Sequence, residues 1–172
     1  MYDLYENFKN DSSRFILGKN GTKKLFIIGL NPSTANKEKS DTTVAKVQKV
    51  AENNEYNGFV MTNLYPLRST DPKDLPKDED KELLSLNIQK IIELAKKEDK
   101  PIFWAAWGED ILSRKYLLKS LKELNLQIEK INGSWIHYGD LTKYKHPRHP
   151  SRLSYKWKFS DFNINDYLKL YE

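Results

Sequence analysis

Three short clusters in this 172-residue chain carry side chains able to orient a water, donate to developing charge or hold an anion. They are Gly29-Leu30-Asn31-Pro32-Ser33, the Asn63 of Thr62-Asn63-Leu64-Tyr65-Pro66, and His149-Pro150-Ser151-Arg152. An asparagine amide offers a donor and an acceptor, so it can orient a water or match a base edge. A neutral histidine can donate to charge that develops on a leaving group. Serine and arginine suit phosphates. Taken singly the clusters are weak, since Asn-Pro starts turns and an Asn at a strand end brackets loops. Asp41 reads either as a second water-handling group or as a helix N-cap. His146 and His149, with His137 upstream, raise the question of a metal. The intervening prolines and cations, with no Cys or acid nearby, argue against one. We therefore expect no metal and no cofactor.

Composition narrows the classes. The chain is 38% hydrophobic and 12% aromatic, enough for one domain with a proper core. It has no cysteine, which removes disulfides, thiolate nucleophiles and Cys-ligated metals. No basic, apolar leader precedes Leu4, and no apolar run approaches the ~20 residues of a membrane span. A cytoplasmic monomer with no membrane partner is the expectation. The net charge of +5 is modest, but residues 141–160 hold six Lys/Arg and no acid. Tyr144, Tyr155, Trp157 and Phe159 are interleaved with them. Cations mixed with aromatics suit a phosphate backbone and exposed bases, while the segment taken alone reads rather as a solvated basic tail with a few core aromatics. Lys143, Lys145, His146, Arg148, Ser151, Arg152 and Lys156 are the candidate DNA contacts.

The clusters must be positioned by regular elements. Arg14–Leu17 and Lys24–Leu30 read as strands joined through Lys19-Asn20-Gly21 as a hairpin turn. Leu25-Phe26-Ile27-Ile28 is continuously apolar, as in a strand buried on both faces. A helix from about Asp41, a strand over Gly58–Leu64 and a Pro- and Asp-rich loop from Tyr65 to Lys77 follow. Then come a helix from about Asp78 to Lys97, a strand over Pro101–Trp107 and a helix over Asp110–Leu124. Gln127–Ile131 and Trp135–Tyr138 read as short strands, and a helix lies near Asn165–Tyr171. This alternation predicts an α/β fold, a three-layer α/β/α sandwich around a short, mostly parallel sheet of about four strands. It forms one domain over 1–172, with 1–23 as an N-terminal hairpin extension and 141–160 as the basic segment. In such sheets ligands bind beyond the carboxyl ends of the strands, where Asn31 and Asn63 fall.

The order and placement of the motifs resemble the uracil-DNA glycosylase superfamily. The matches are Gly29-Leu30-Asn31-Pro32 after the first core strand, Asn63 at a mid-chain strand end, and His149-Pro150-Ser151 on a basic loop. The chain also resembles an uncharacterised bacterial and phage family with Asn-Pro-Ser-Thr-Ala, Thr-Asn-Leu-Tyr-Pro, Ala-Trp-Gly and a late His-Pro. The glycosylase resemblance implies that Asn31 and His149 are catalytic, although His146 could stand in for His149. It implies that Gly29, Leu30, Pro32, Ser33, Asp41, Asn63 and Tyr65 shape the base site. A base flipped out of DNA, single- or double-stranded, would be cut at its N-glycosidic bond. No aromatic follows Pro32 to stack on that base, which leaves Trp104, Trp107 or Tyr65. In uracil-specific members a tyrosine occupies the position of Ser33, so the small residue implies room for 5-substituted pyrimidines, including bulky phage-type bases. An anti-phage or repair role would follow. A non-catalytic DNA-binding module and a nucleotide-processing hydrolase are the alternatives. The Gly-x-Ser-x-Gly elbow of an α/β hydrolase is absent, and seven unclustered glycines make no phosphate-cradling loop.

Overall fold

The computed structural model describes all 172 residues. One sheet runs through the chain, formed by β1 (Leu4–Phe8), β2 (Ser13–Lys19), β3 (Lys24–Gly29), β4 (Gly58–Asn63), β5 (Ile102–Ala105), β6 (Ser134–Tyr138) and β7 (Phe159–Asp161). Their spatial order is β1-β2-β4-β3-β5-β6-β7. The expected short, mostly parallel sheet of about four strands is thereby corrected to a seven-stranded mixed sheet. Three pairings are antiparallel, β1·β2, β2·β4 and β6·β7, and three are parallel, β3·β4, β3·β5 and β5·β6. The added strands are at the edges. β1 is half exposed and β7 is three residues long, so neither carries an apolar signature.

The expected hairpin between β2 and β3 is also corrected, because β4 lies between them. The Lys19–Lys24 connection steps over the start of β4, where the Asn57 and Gly58 amides donate to the Lys23 carbonyl. A Cβ on Gly21 would sit 2.6 Å from the Asn57 carbonyl oxygen, and one on Gly58 2.8 Å from that of Lys19. The glycines are there for this close crossing. Neither Asn20 nor Gly21 takes the positive φ of a hairpin turn.

The four helices divide unequally between the faces. The side chains of β3 alternate: Phe26 and Ile28 enter one apolar cluster, Leu25 and Ile27 the other. On the first face lie α2 (Lys81–Ala95), α3 (Lys115–Lys130) and α4 (Ile164–Lys169). On the second lies α1 (Thr42–Asn53) alone, packed through Val44, Val47, Val50 and Ala51. Of the expected strand Gln127–Ile131, residues 127–130 instead complete α3 and Ile131 caps it, with Ile128 extending the stripe of Leu117, Leu121 and Leu124. No helix is long and apolar enough to cross a membrane.

Candidate active site

The carboxyl ends of β3, β4 and β5 lie side by side. Gly29 pairs with Asn63 and Ile28 with Ala105. Beyond them opens a cavity of about 460 Å3 whose walls include Asn31, Asn63, Asp41 and His149. Gly29 does not line it but permits it, since a Cβ there would meet Asn63 Oδ1 at 2.7 Å. Leu30, Pro32 and Ser33 are in the wall. The Asn31 amide nitrogen donates to the carbonyls of Pro32 and Ser69 at 3.1 and 2.9 Å. Both of its hydrogens are committed to the loop, and its carbonyl oxygen is left without a protein partner. Asn63 is buried, its own carbonyl held by Asn87 Nδ2, while its side-chain Nδ2 has no hydrogen-bond partner. Asp41 caps α1 by accepting from Val44 N and also accepts from Ala35 N. Its capping role is thus real, and its oxygens brace the loop after Ser33.

His149 lines the same cavity. Gly108, at φ +73°, lies beneath it, and a Cβ there would come within 3.1 Å of the His149 Cβ. The Gly108 amide donates to the Pro147 carbonyl, which ties the Trp107-Gly108 strand end to the His-Pro loop. Nδ1 of His149 accepts from the Ser151 amide at 3.1 Å and faces the Ser151 hydroxyl at 2.9 Å. An accepting Nδ1 places the proton of the neutral ring on Nε2. Burial lowers the His149 pKa, opposed by the negative charges of Asp110 and Asp41. The ring is therefore a neutral Nε2–H donor at pH 7. Nowhere do three His, Asp or Glu gather as a metal site would require.

Residues 14–151 match the profile of a protein family described as "Protein of unknown function (DUF1643)". The chain belongs to DUF1643. No curated protein and no solved structure matches it. In this DUF1643 chain the matched stretch opens at Arg14 and ends at Ser151, and both residues line the cavity.

Several expected participants stand elsewhere in the DUF1643 fold. Tyr65 is buried away from the cavity, its ring 4.9 Å from that of Tyr116 and its hydroxyl accepting from the Asp80 amide. Trp104 packs edge-on against Phe159 on the α1 face. Trp107 touches the cavity, but its ring is buried against Trp135 and Phe162, and its Nε1 donates to Tyr167. No ring stands free for stacking. His146 is corrected from DNA contact and catalytic alternative to core anchor, with Nδ1 2.8 Å from the Tyr167 hydroxyl and Nε2 3.2 Å from that of Tyr171.

The basic segment is dispersed. Arg152 lines the cavity, and Lys46 of α1 donates to the Ser151 carbonyl beside it. The Arg148 side chain donates to the Asp140 carbonyl and lies over Trp157. Lys143 and Lys156 are exposed outside the cavity wall, and Lys145 borders a separate hollow with Asp161 and Asp166.

Four residues of the site escaped the sequence reading. Arg68 donates to the carbonyls of Ser33 and Ala35 and pairs with Asp11 at 3.0 Å, and so holds the Asn31–Ala35 loop in place. Arg14 also donates to the Ala35 carbonyl. Glu109 and Asp110 form an acidic wall directly after Gly108. The only signal for this wall was adjacency to the Ala-Trp-Gly motif.

Proposed function

We propose that this protein is a DNA glycosylase, a cytoplasmic monomer that hydrolyses the N-glycosidic bond of uracil or a 5-substituted pyrimidine without a cofactor. One observation carries the reading. A free amide carbonyl on Asn31, an unpartnered amide on Asn63 and an Nε2–H on His149 share one cavity. The three suit the three tasks of the reaction. Asn31 orients a water towards the sugar carbon. Asn63 reads the base edge. His149 stabilises charge on a base oxygen as the bond breaks. The electron pair of the C–N bond leaves with the base, the water oxygen joins the sugar, and a proton is left for the base.

Shape and charge support the same reading. Ser33 leaves space where a larger side chain would close the pocket. Arg152 and Lys46 attract a phosphate backbone on one side, while Glu109 and Asp110 repel it on the other, so the strand is guided past the basic side. A repair or anti-phage role follows from a pocket open to modified bases.

The test is incubation with oligonucleotides that carry uracil, thymine, 5-hydroxymethylcytosine or its glucosylated form, followed by alkali. Strand breaks at one of these bases, lost in Asn31→Ala, are expected. Intact strands throughout, with DNA still bound, would leave a non-catalytic binding module. Ser33→Tyr should abolish excision of the bulkier bases before that of uracil.

A further inference from the structure

Arg14, in β2, is 2% exposed, yet it lies in the cavity wall. Its Nη1 donates to the Ala35 carbonyl at 2.9 Å. Its Nε is buried without a partner, and its Nη2 makes no hydrogen bond to the protein. It belongs to none of the ion pairs in the structure. Burial lowers its pKa to about 10, with Arg68 adding to the effect and Asp41 opposing it, so the charge persists at neutral pH. An unpaired buried guanidinium is among the costliest groups a fold can hold. The Asn63 Nδ2 in the same wall is likewise buried and unpartnered. Asp41, in the same wall, accepts from Ala35 N and Val44 N and makes no hydrogen bond to either of them. Two buried donors in one wall are thus left without partners, and buried donors left unmade inside a protein call for an occupant.

We propose that Arg14 contacts the substrate: with Asn63 it forms a donor pair for the acceptor oxygens of a keto-edged base of the dioxopyrimidine class. The identity of the ligand rests on the glycosylase reading, whereas the donor pair does not. When the glycosidic bond breaks, its electron pair spreads onto the base oxygens, and a fixed guanidinium beside them favours that state. Arginine has no acceptor and cannot reverse its pattern, unlike an asparagine amide. The amino group of a cytosine-type edge would therefore set donor against donor. This narrows the substrates from pyrimidines in general to those with an oxygen at position 4.

The experiment titrates arginine-labelled wild-type protein separately with free uracil, cytosine and inorganic phosphate. It follows the Arg14 Nε–Hε resonance, assigned in the wild-type protein by through-bond correlation along its own side chain. A saturable shift with uracil is expected, with cytosine weaker by about tenfold, the worth of one hydrogen bond. R14K should lose a similar factor in uracil affinity; if it does not fold, the wild-type titration decides. A resonance that uracil leaves unmoved, or that cytosine moves equally well, overturns the proposal. A response to phosphate alone overturns the base assignment. Base release from DNA is scored separately. A uracil response without base release upholds the donor pair and sinks the glycosylase reading. Base release with a silent Arg14 does the reverse.

Discussion

His146 and His149 are three positions apart and serve opposite ends. His146 is wholly buried, with both ring nitrogens within hydrogen-bond distance of the α4-side tyrosines Tyr167 and Tyr171. Its carbonyl accepts from Thr142 N, and its amide donates to the Thr142 hydroxyl. His149 is half buried, with one nitrogen bonded only within its own turn and the other free for the cavity. Pro147 lies between them, tied to Gly108. One histidine fastens the segment to the core so that the other can be presented. Spacing in sequence says nothing of this division. Partners in space decide it.

The largest effect expected from breaking the contrast is on catalysis. His149→Ala should lower the rate of base release by about 10²–10³, the scale for one donor to developing charge. Its melting temperature should stay near wild type. Equal rates in both proteins would remove His149 from the mechanism. His146→Phe should do the opposite. It removes the buried bond to the Tyr167 hydroxyl, which keeps only Trp107 Nε1, at about 1–3 kcal/mol, or roughly 2–4 °C of melting temperature for each kcal/mol in a domain of this size. Thermal melts beside single-turnover rates separate the two variants, and a His146→Phe protein that melts normally but is inactive would reverse the roles.

A third test is pH. Burial is the leading cause that lowers the pKa of His137, His146 and His149 alike. As pH falls through the ordinary value of 6.5, the unfolded chain takes up protons before the native one does. Stability should therefore fall below pH 6.5, down to the folded pKa values. Activity should persist below 6.5, because His149 stays neutral there, and should fail once a protonated Nδ1 opposes the Ser151 amide. Melts and rates from pH 7.5 to 5 check both, and stability that rises on acidification would contradict the burial of these rings. The smallest effect concerns salt. Arg152→Ala should reduce the slope of log affinity against log salt by about one unit, and Lys145→Ala, on another surface, by none. Equal slopes would mean that DNA lies elsewhere.

Which residues would share a cavity was more legible in the sequence than the sheet that carries them. Asn31 and Asn63 were visible because each ends an apolar run, and a parallel strand buried on both faces has no other appearance. Arg14 and Arg68 were not visible. Each is a lone cation in a polar stretch, and its importance lies in carbonyls that only folding brings near, those of Ser33 and Ala35. β7 was hidden inside the basic segment, too short to show a period. The end of α3 differs from the expected strand over Gln127–Ile131, where Ile128 continues the helical stripe. The longer repeat from Leu117 prevails, since it faces the sheet and leaves Leu126 in solvent.

The crossing of the β2–β3 connection over Gly58 has a consequence for how the chain folds. β2 and β3 are separated by only four residues, yet they cannot zip together, because their shared neighbour is made some thirty residues later. β2 pairs locally with β1, but its other edge and β3 must wait for a distant partner, which slows folding. Until Gly58–Asn63 is available, one edge of β2 and both edges of β3 lack their neighbours. During that interval the apolar faces of both strands are exposed to other copies. Truncations that end before Gly58 should therefore aggregate rather than form a soluble hairpin.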